Sequence, residues 1–367
     1  TGAWYWYAKA LKAETLWVAA KKAGMTVGSV GWPVTVGADI DYNVPEIWDP
    51  SEHPPTGKRT IENSTPGLID KIIAAGSPGK ADDFRTNATE FIIKNYRPNL
   101  VLLHLFELDD TEHKFGPLTP QAFETMEKED GYIGGIVQAI RDAGIADKTT
   151  FFIVSDHGFA AISKTFEPDV LLVKAGLITL GPDGKPVSWK AAAWADGGSC
   201  GIVLADPKDK ETEKAVTELF SKLVTKPSSP VNRVIPRKEL DQLEAMPQAV
   251  IMLDANPGFT FEEALTGPSV RDSRKDQRGT HGYLPSRAEM RSSLIVFGED
   301  ARVGERVSVA RMIDIGPTAA AVLGLDLADS EGAPLAQMVK PGTIQPLSPE
   351  QRKEKRSNRK KRNTGKP

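Results

Sequence analysis

Of the five histidines in the 367 residues, His113, His157 and His281 each sit beside a glycine or an acid in a short loop motif. Imidazole nitrogen and carboxylate oxygen are donors that zinc accepts at ~2.0–2.2 Å. In Asp109-Asp110-Thr111-Glu112-His113 the outer two residues are four positions apart, so one helical turn or a tight loop can aim both at one point. Helix capping by Asp109 or Asp110, with His113 merely exposed, is the competing reading. Ser155-Asp156-His157-Gly158 follows an apolar run, at the carboxyl edge where open α/β sheets place their ligand sites. Neighbouring side chains on an extended segment point apart. Asp156 and His157 therefore share a ligand only if the backbone bends, and an Asp-His-Gly turn without a ligand is the alternative. Gly279-Thr280-His281-Gly282-Tyr283 is a loop composition common enough to carry little by itself.

The elements that must hold these motifs can be read from periodicity. Glu14–Ala23 reads as a helix stopped by Gly24, Thr26–Val30 as a strand before the turn Gly31-Trp32-Pro33, and Asp82–Asn95 as a helix ended by Pro98. The apolar runs Leu100–Phe106 and Thr149–Val154 read as buried strands, each leading into acids and a histidine. Between them Met126, Ile133, Ile136, Val137 and Ile140 share one helical face. Helices alternating with short β-rich runs predict an α/β fold with a mostly parallel sheet. The texture changes over 160–278, with a hairpin signal at Asp183-Gly184 and a helical stretch at Glu211–Leu223, which reads as a cap-like insertion. Core texture returns with a strand at Ser293–Phe297 and a helix at Met312–Leu323, ended by Gly324.

Composition narrows the function classes. At 40% hydrophobic and 26% charged residues the chain is that of a folded protein, with no run approaching the ~18 apolar residues of a spanning helix. Cys200, the single cysteine, excludes an intrachain disulfide and cysteine-ligated zinc. Net charge is −3, yet Gln351–Pro367 holds nine Lys or Arg against one Glu, a local +8 that leaves −11 on the rest. Residues 341–367 read as a solvated, disordered basic tail with no catalytic role and no specific nucleic-acid partner, attraction to nucleic acid or anionic membrane being the alternative. Trp32 and Tyr42 either flank an apolar leaving group or simply pack. The sequence carries no signal for oligomeric state.

Taken together, Glu107-x-Asp109-x-x-x-His113-x-x-Gly116-Pro117, then Ser155-Asp156-His157-Gly158, then Thr280-His281-Gly282-Tyr283, resemble the type I phosphodiesterase and nucleotide pyrophosphatase family of the alkaline phosphatase superfamily. The Trp32-Pro33 turn and the stretch Asp314–Gly324 resemble that family too, so the resemblance runs to about Val339. It implies an alkaline phosphatase-like three-layer sandwich over 1–340, with a mostly parallel central sheet and the 160–278 insertion. It further implies two zinc ions, one held by Asp109, His113 and His281 and the other by Asp156 and His157. The implied activity is hydrolysis of phosphodiester or nucleotide pyrophosphate bonds of a small-molecule substrate, in a periplasmic or extracellular setting, with phosphomonoesterase, phosphonate hydrolase or sulfatase activity as superfamily alternatives. Glu112 departs from the Gly that many members carry before the ligating histidine. An upstream acid and a Thr or Ser nucleophile belong to the family's pattern before the region matched by 1–17. Thr1, beside Gly2, is not assigned that role, because Trp4-Tyr5-Trp6-Tyr7 and the short distance to Trp17 fit a later segment. With no initiator Met or signal-like run, the expectation is a lost or processed N-terminus, a complete first zinc site and an incomplete second one. Very low turnover, in a chain that only binds metal and a phosphorylated ligand, is the corresponding non-enzyme reading.

Overall fold

The computed structural model describes residues 5–48, 57–76, 79–327 and 330–344. The tail read at 341–367 lies almost wholly outside them, as do Thr1 and Trp4. The chain divides into two units, one from the residues up to Glu107, Met126–Val154 and the residues from Leu294 on, the other from Leu108–Thr125 and Ser155–Ser293.

In the first unit three parallel strands lie in the order Tyr42–Val44, Val27–Val30, Leu100–Leu103. Val27 pairs with Leu100 and Gly28 with Tyr42. The central strand is buried throughout, as parallel strands covered on both faces must be. The helix Ala81–Tyr96 packs Phe84, Ala88 and Ile92 against Val30 and Val44. Gly28 permits the close approach, since a Cβ there would meet Ile92 Cγ2 at 3.0 Å and Pro98 Cγ at 3.2 Å. Leu16–Lys22 is the expected first helix, capped by the Thr15 hydroxyl accepting from Val18 N at 3.3 Å. Thr150–Val154 and Leu294–Gly298 form an antiparallel pair. The helix Pro120–Asp142 buries Ala139 and Ile140 with Ile93, whereas Met126, assigned to the same face, is 48% exposed. Tyr42 stacks on Tyr96 at 4.0 Å and Trp32 packs into the cluster around Trp17 and Val27, so both are used for packing.

One strand ends earlier than its apolar run suggests. Leu100–Leu103 stops three residues short of Phe106, and a helix, Glu107–Phe115, begins at once. The cause is the fully buried Asp82, whose Oδ2 accepts the backbone N–H groups of Phe106 and Glu107 at 2.8 Å each. These are among the unsatisfied donors of a helix amino terminus. Asp82 thus accepts the two amino-terminal N–H groups that sequence alone offers to Asp109 or Asp110.

The second unit is largely antiparallel. Four strands lie in the order Val231–Pro236, Ala249–Ala255, Ser199–Leu204, Ala191–Asp196, and the amphipathic helix Lys210–Val224 places Val216 and Phe220 in their core. The expected hairpin at Asp183-Gly184 joins Ile178–Leu180 to Pro186–Trp189. Ala160–Phe166 pairs in parallel with Gly258–Phe261 and antiparallel with Val270–Asp272 and Gly279–Thr280.

Replacing Asp82 by Ala should cost about 1–3 kcal/mol, because two part-buried N–H groups lose a buried acceptor, and Asp82→Asn, which keeps an oxygen there, should cost less. Urea unfolding of the three proteins measures this. Equal midpoints would show that the cap contributes nothing.

Candidate metal centre

The helix Glu107–Phe115 sets Asp109 and His113 one turn apart, with His113 Nε2 3.6 Å from Asp109 Oδ2. The other carboxylate oxygen, Oδ1, faces His157 Nε2 at 3.7 Å and His281 Nε2 at 3.8 Å. Three imidazoles from three distant segments therefore present the same ring nitrogen to one carboxylate. Asp156 is largely exposed, with Oδ2 3.5 Å from His157 Nε2. Its Oδ1 accepts from the His157 backbone N–H at 3.1 Å, which folds the Asp-His pair back on itself.

Backbone bonding brings the segments together. Arg278 donates its N–H to the His113 carbonyl at 2.7 Å, and its own carbonyl accepts from Ile162 N at 2.8 Å. Pairing of Gly279 with Ala161 and of Thr280 with Ala160 then carries His281 alongside the chain leaving His157, and the two rings stack at 3.8 Å. Glycine is required at 279, where a Cβ would collide with the Glu112 carbonyl oxygen on the ligand helix. It is required at 158, where a Cβ would collide with the carbonyl oxygen of Glu289. The Gly279 carbonyl lies 3.2 Å from His113 Nδ1, and the Gly158 carbonyl 3.2 Å from His157 Nδ1. A carbonyl can only accept, so each Nδ1 carries the proton and each Nε2 presents its lone pair, the tautomer a metal ligand needs.

Sequence reading overlooked Phe159. Its buried ring stands edge-on to His113 at 4.8 Å and to His281 at 5.4 Å, and tilted to His157 at 5.6 Å, a shared apolar floor for three histidines. Its position two residues after His157 was the available signal. Burial, with the charges of His157 and His113 adding to it, pushes His281 down from the ordinary 6.5 to about 4. Burial raises the Glu112 carboxyl above its usual value and the charge of Asp109 adds to this, against the pull of His157.

The donor set suits a metal ion. Ligand atoms of Asp109, His113 and His281 all lie within 4.8 Å of one another, and donors ~2.0–2.1 Å from a tetrahedral zinc stand ~3.3 Å apart, a contraction of tenths of an ångström from the Asp109 to histidine separations. Nitrogen and carboxylate oxygen without sulfur match zinc and the harder divalent ions. His157 reaches the same carboxylate.

A family model described as type I phosphodiesterase / nucleotide pyrophosphatase matches residues 1–284. Among curated proteins, the chain is 28% identical over 248 residues to a Mus musculus protein named bis(5'-adenosyl)-triphosphatase, covering 65% of this chain and 47% of that one. It is 24% identical over 155 residues to Homo sapiens ectonucleotide pyrophosphatase/phosphodiesterase family member 1, covering 42% of this chain and 14% of that one. The chain thus spans less than half the length of these relatives. Among solved structures, human ectonucleotide pyrophosphatase / phosphodiesterase 5 aligns with TM-score 0.58 at 17% identity, over 88% of this chain and 74% of that one. The murine counterpart, an inactive form in complex with AMP, aligns with TM-score 0.59 at 17% identity over the same shares. These likenesses show the fold, α/β of the alkaline phosphatase type.

His281 also makes stability depend on pH. Between pH 6.5 and about 4 the unfolded chain protonates His281 and the folded one does not, so the unfolded state binds more protons and stability falls as pH falls. Metal-free protein should lose roughly 1–3 kcal/mol through this group across that window, and His281→Gln should flatten the curve there. Urea midpoints of both proteins against pH test it, parallel curves being the contrary result.

Proposed function

This chain belongs to the type I phosphodiesterase / nucleotide pyrophosphatase family, and from that premise we propose that it serves to hydrolyse phosphodiester or pyrophosphate bonds in small nucleotide-type substrates at the centre built on Asp109. The convergence of three imidazole Nε2 atoms on that one carboxylate carries the reading. Asp109, His113 and His281 would hold one zinc ion, and Asp156 with His157 would contribute to a second. Zinc bound there would supply positive charge against a phosphoryl group and acidify a coordinated oxygen. The protein's own residues do the rest of what the site requires. The Gly279 and Gly158 carbonyls hold two rings in the ligating tautomer, Phe159 packs against all three rings, and burial keeps His281 uncharged at neutral pH. No described residue is assigned as the nucleophile.

A nucleotide substrate is favoured by the relatives, one named a bis(5'-adenosyl)-triphosphatase and one a fold neighbour in complex with AMP. The region 160–278, continuous in sequence between the second and third motifs, is the part we expect to set substrate choice, as loops on a rigid scaffold usually do. Relatives called ectonucleotide pyrophosphatases and venom phosphodiesterase favour an extracellular setting. Among the described residues no helix is long and apolar enough to cross a membrane.

Elemental analysis of protein purified without chelator should find about one tightly held zinc per chain, released as the pH drops and the histidines protonate, and close to none in Asp109→Ala. Unchanged metal content in Asp109→Ala would remove the centre from consideration. On a panel of nitrophenyl substrates the nucleotide diester should be turned over at least ~10-fold better than the phosphate monoester or the sulfate, a discrimination within reach of pocket contacts. Preference for the monoester or sulfate would move the activity to another branch of the superfamily.

A further inference from the structure

The three histidines of the centre are not held alike. His113 and His157 each have Nδ1 fixed on a backbone carbonyl. Among the described residues the His281 ring has no such bond; its Nε2 lies 3.8 Å from Asp109 and its face stacks on His157. A ring without a second hydrogen bond can still be aimed if its backbone is immobile and its flanks are packed. That is how His281 is built.

Its carbonyl accepts from Gly198 N at 2.8 Å, in the turn between the strands Ala191–Asp196 and Ser199–Leu204. The fit leaves no space for side chains. A Cβ on Gly197 would collide with the His281 carbonyl, one on Gly198 with the Tyr283 ring, and one on Gly282, which has φ +80°, with the Asp196 carbonyl. The turn is itself anchored, with the Gly198 carbonyl accepting from Ala255 N at 2.9 Å and the Gly197 carbonyl from Phe261 N at 2.8 Å. Two residues beyond His281, the Tyr283 ring is buried on Gly198, its hydroxyl donates to the Phe259 carbonyl at 2.5 Å, and the Arg287 guanidinium lies 4.4 Å over its face. Arg287 is held in turn by Asp254 and the Ala255 carbonyl.

We propose that Tyr283, seated on the Gly197-Gly198 turn and covered by Arg287, is a positioning residue that aims the His281 imidazole at the metal centre. The inference rests on reading His281 as a metal ligand. Tyr283 touches neither metal nor substrate and acts only through the backbone of His281. The glycine turn is the fixed surface against which it works, so the antiparallel sheet of the second unit contributes to metal affinity without supplying a ligand.

The test uses the whole chain, made metal-free and reloaded with zinc or cobalt(II). Affinity comes from competition with a chromophoric chelator, ligand geometry from the visible spectrum of the cobalt form, and folding from far-ultraviolet circular dichroism of the metal-free protein. Tyr283→Leu should weaken zinc ~10–100-fold, the usual range for outer partners of a metal ligand, and alter the cobalt spectrum. Tyr283→Phe, which keeps the ring on Gly198, should recover most of the affinity. Gly198→Ala should behave like Tyr283→Leu, because the added methyl displaces the ring. His281→Ala is the reference. If it weakens zinc while folded Tyr283→Leu and Gly198→Ala bind within twofold of the parent with an unchanged cobalt spectrum, the positioning role is overturned and the metal reading stands. If His281→Ala itself leaves affinity unchanged, the metal reading falls and this inference with it. Should Tyr283→Leu fail to fold, Gly198→Ala decides, parental affinity and spectrum in the folded variant counting against the role.

Discussion

Arg278 donates its backbone N–H to the carbonyl of His113 and accepts at its own carbonyl from Ile162. With the next residue's carbonyl on His113 Nδ1, two consecutive peptide units join the ligand helix, the strand that follows His157 and the segment that precedes His281. Loosening this junction would remove the register on which every other distance in the centre depends. Apart from the His113 ring it consists of main-chain groups, which must find partners when buried whatever their side chains. Its demand on sequence is mainly steric, since Gly279 has no Cβ to strike the Glu112 carbonyl.

Bringing imidazoles so close together has an electrostatic consequence. Stacked at 3.8 Å, His157 and His281 could not both become imidazolium without repulsion, and Phe159 packs against both rings. Burial already opposes a charge on His281, and its neighbours add to the effect. The same packing therefore favours the neutral, ligating form of the His281 ring. Among the described residues Asp109 is the single carboxylate within ion-pair distance of all three rings, so its negative charge is the natural counterpart of a cation among them.

The first unit meets a different constraint, the burial of charge at the carboxyl ends of a parallel sheet. Arg85, almost wholly buried, donates to the His104 carbonyl at 2.8 Å and to Glu46 at 3.2 Å, and lies 4.0 Å from Asp82. Burial alone would raise Glu46, but its hydrogen bond to His104 and the charges of His104 and Arg85 outweigh that and hold its carboxyl below the usual range. For Asp82, burial outweighs two backbone donors and Arg85, and the carboxyl is pushed up. Buried ions are stable only when paired and hydrogen-bonded, and here the pairing joins the ends of two strands to the helix Ala81–Tyr96. The cap on the ligand helix comes from this network.

The sequence was enough for whatever depends on local periodicity and residue chemistry. The spacing of Asp109 and His113 is one helical turn in a helix, the alternation of apolar runs marks helices and parallel strands, and the Asp-His-Gly and Thr-His-Gly motifs announce their donors by type. A helix hydrogen-bonds to itself, so its face is set by its own residues. Tertiary structure decided the rest. Nothing local says that Ala160 pairs with Thr280, or that a buried Asp82 caps the helix after residue 106, because strand register and remote capping are settled by main-chain groups indifferent to side-chain identity. Phe159 reads as an ordinary apolar residue in sequence and Tyr283 only as the end of a motif, and the fold alone sets one against three imidazoles and the other against a glycine turn. Trp32 and Tyr42 went the other way, into packing, since burying an aromatic ring is favourable wherever the fold leaves room for it.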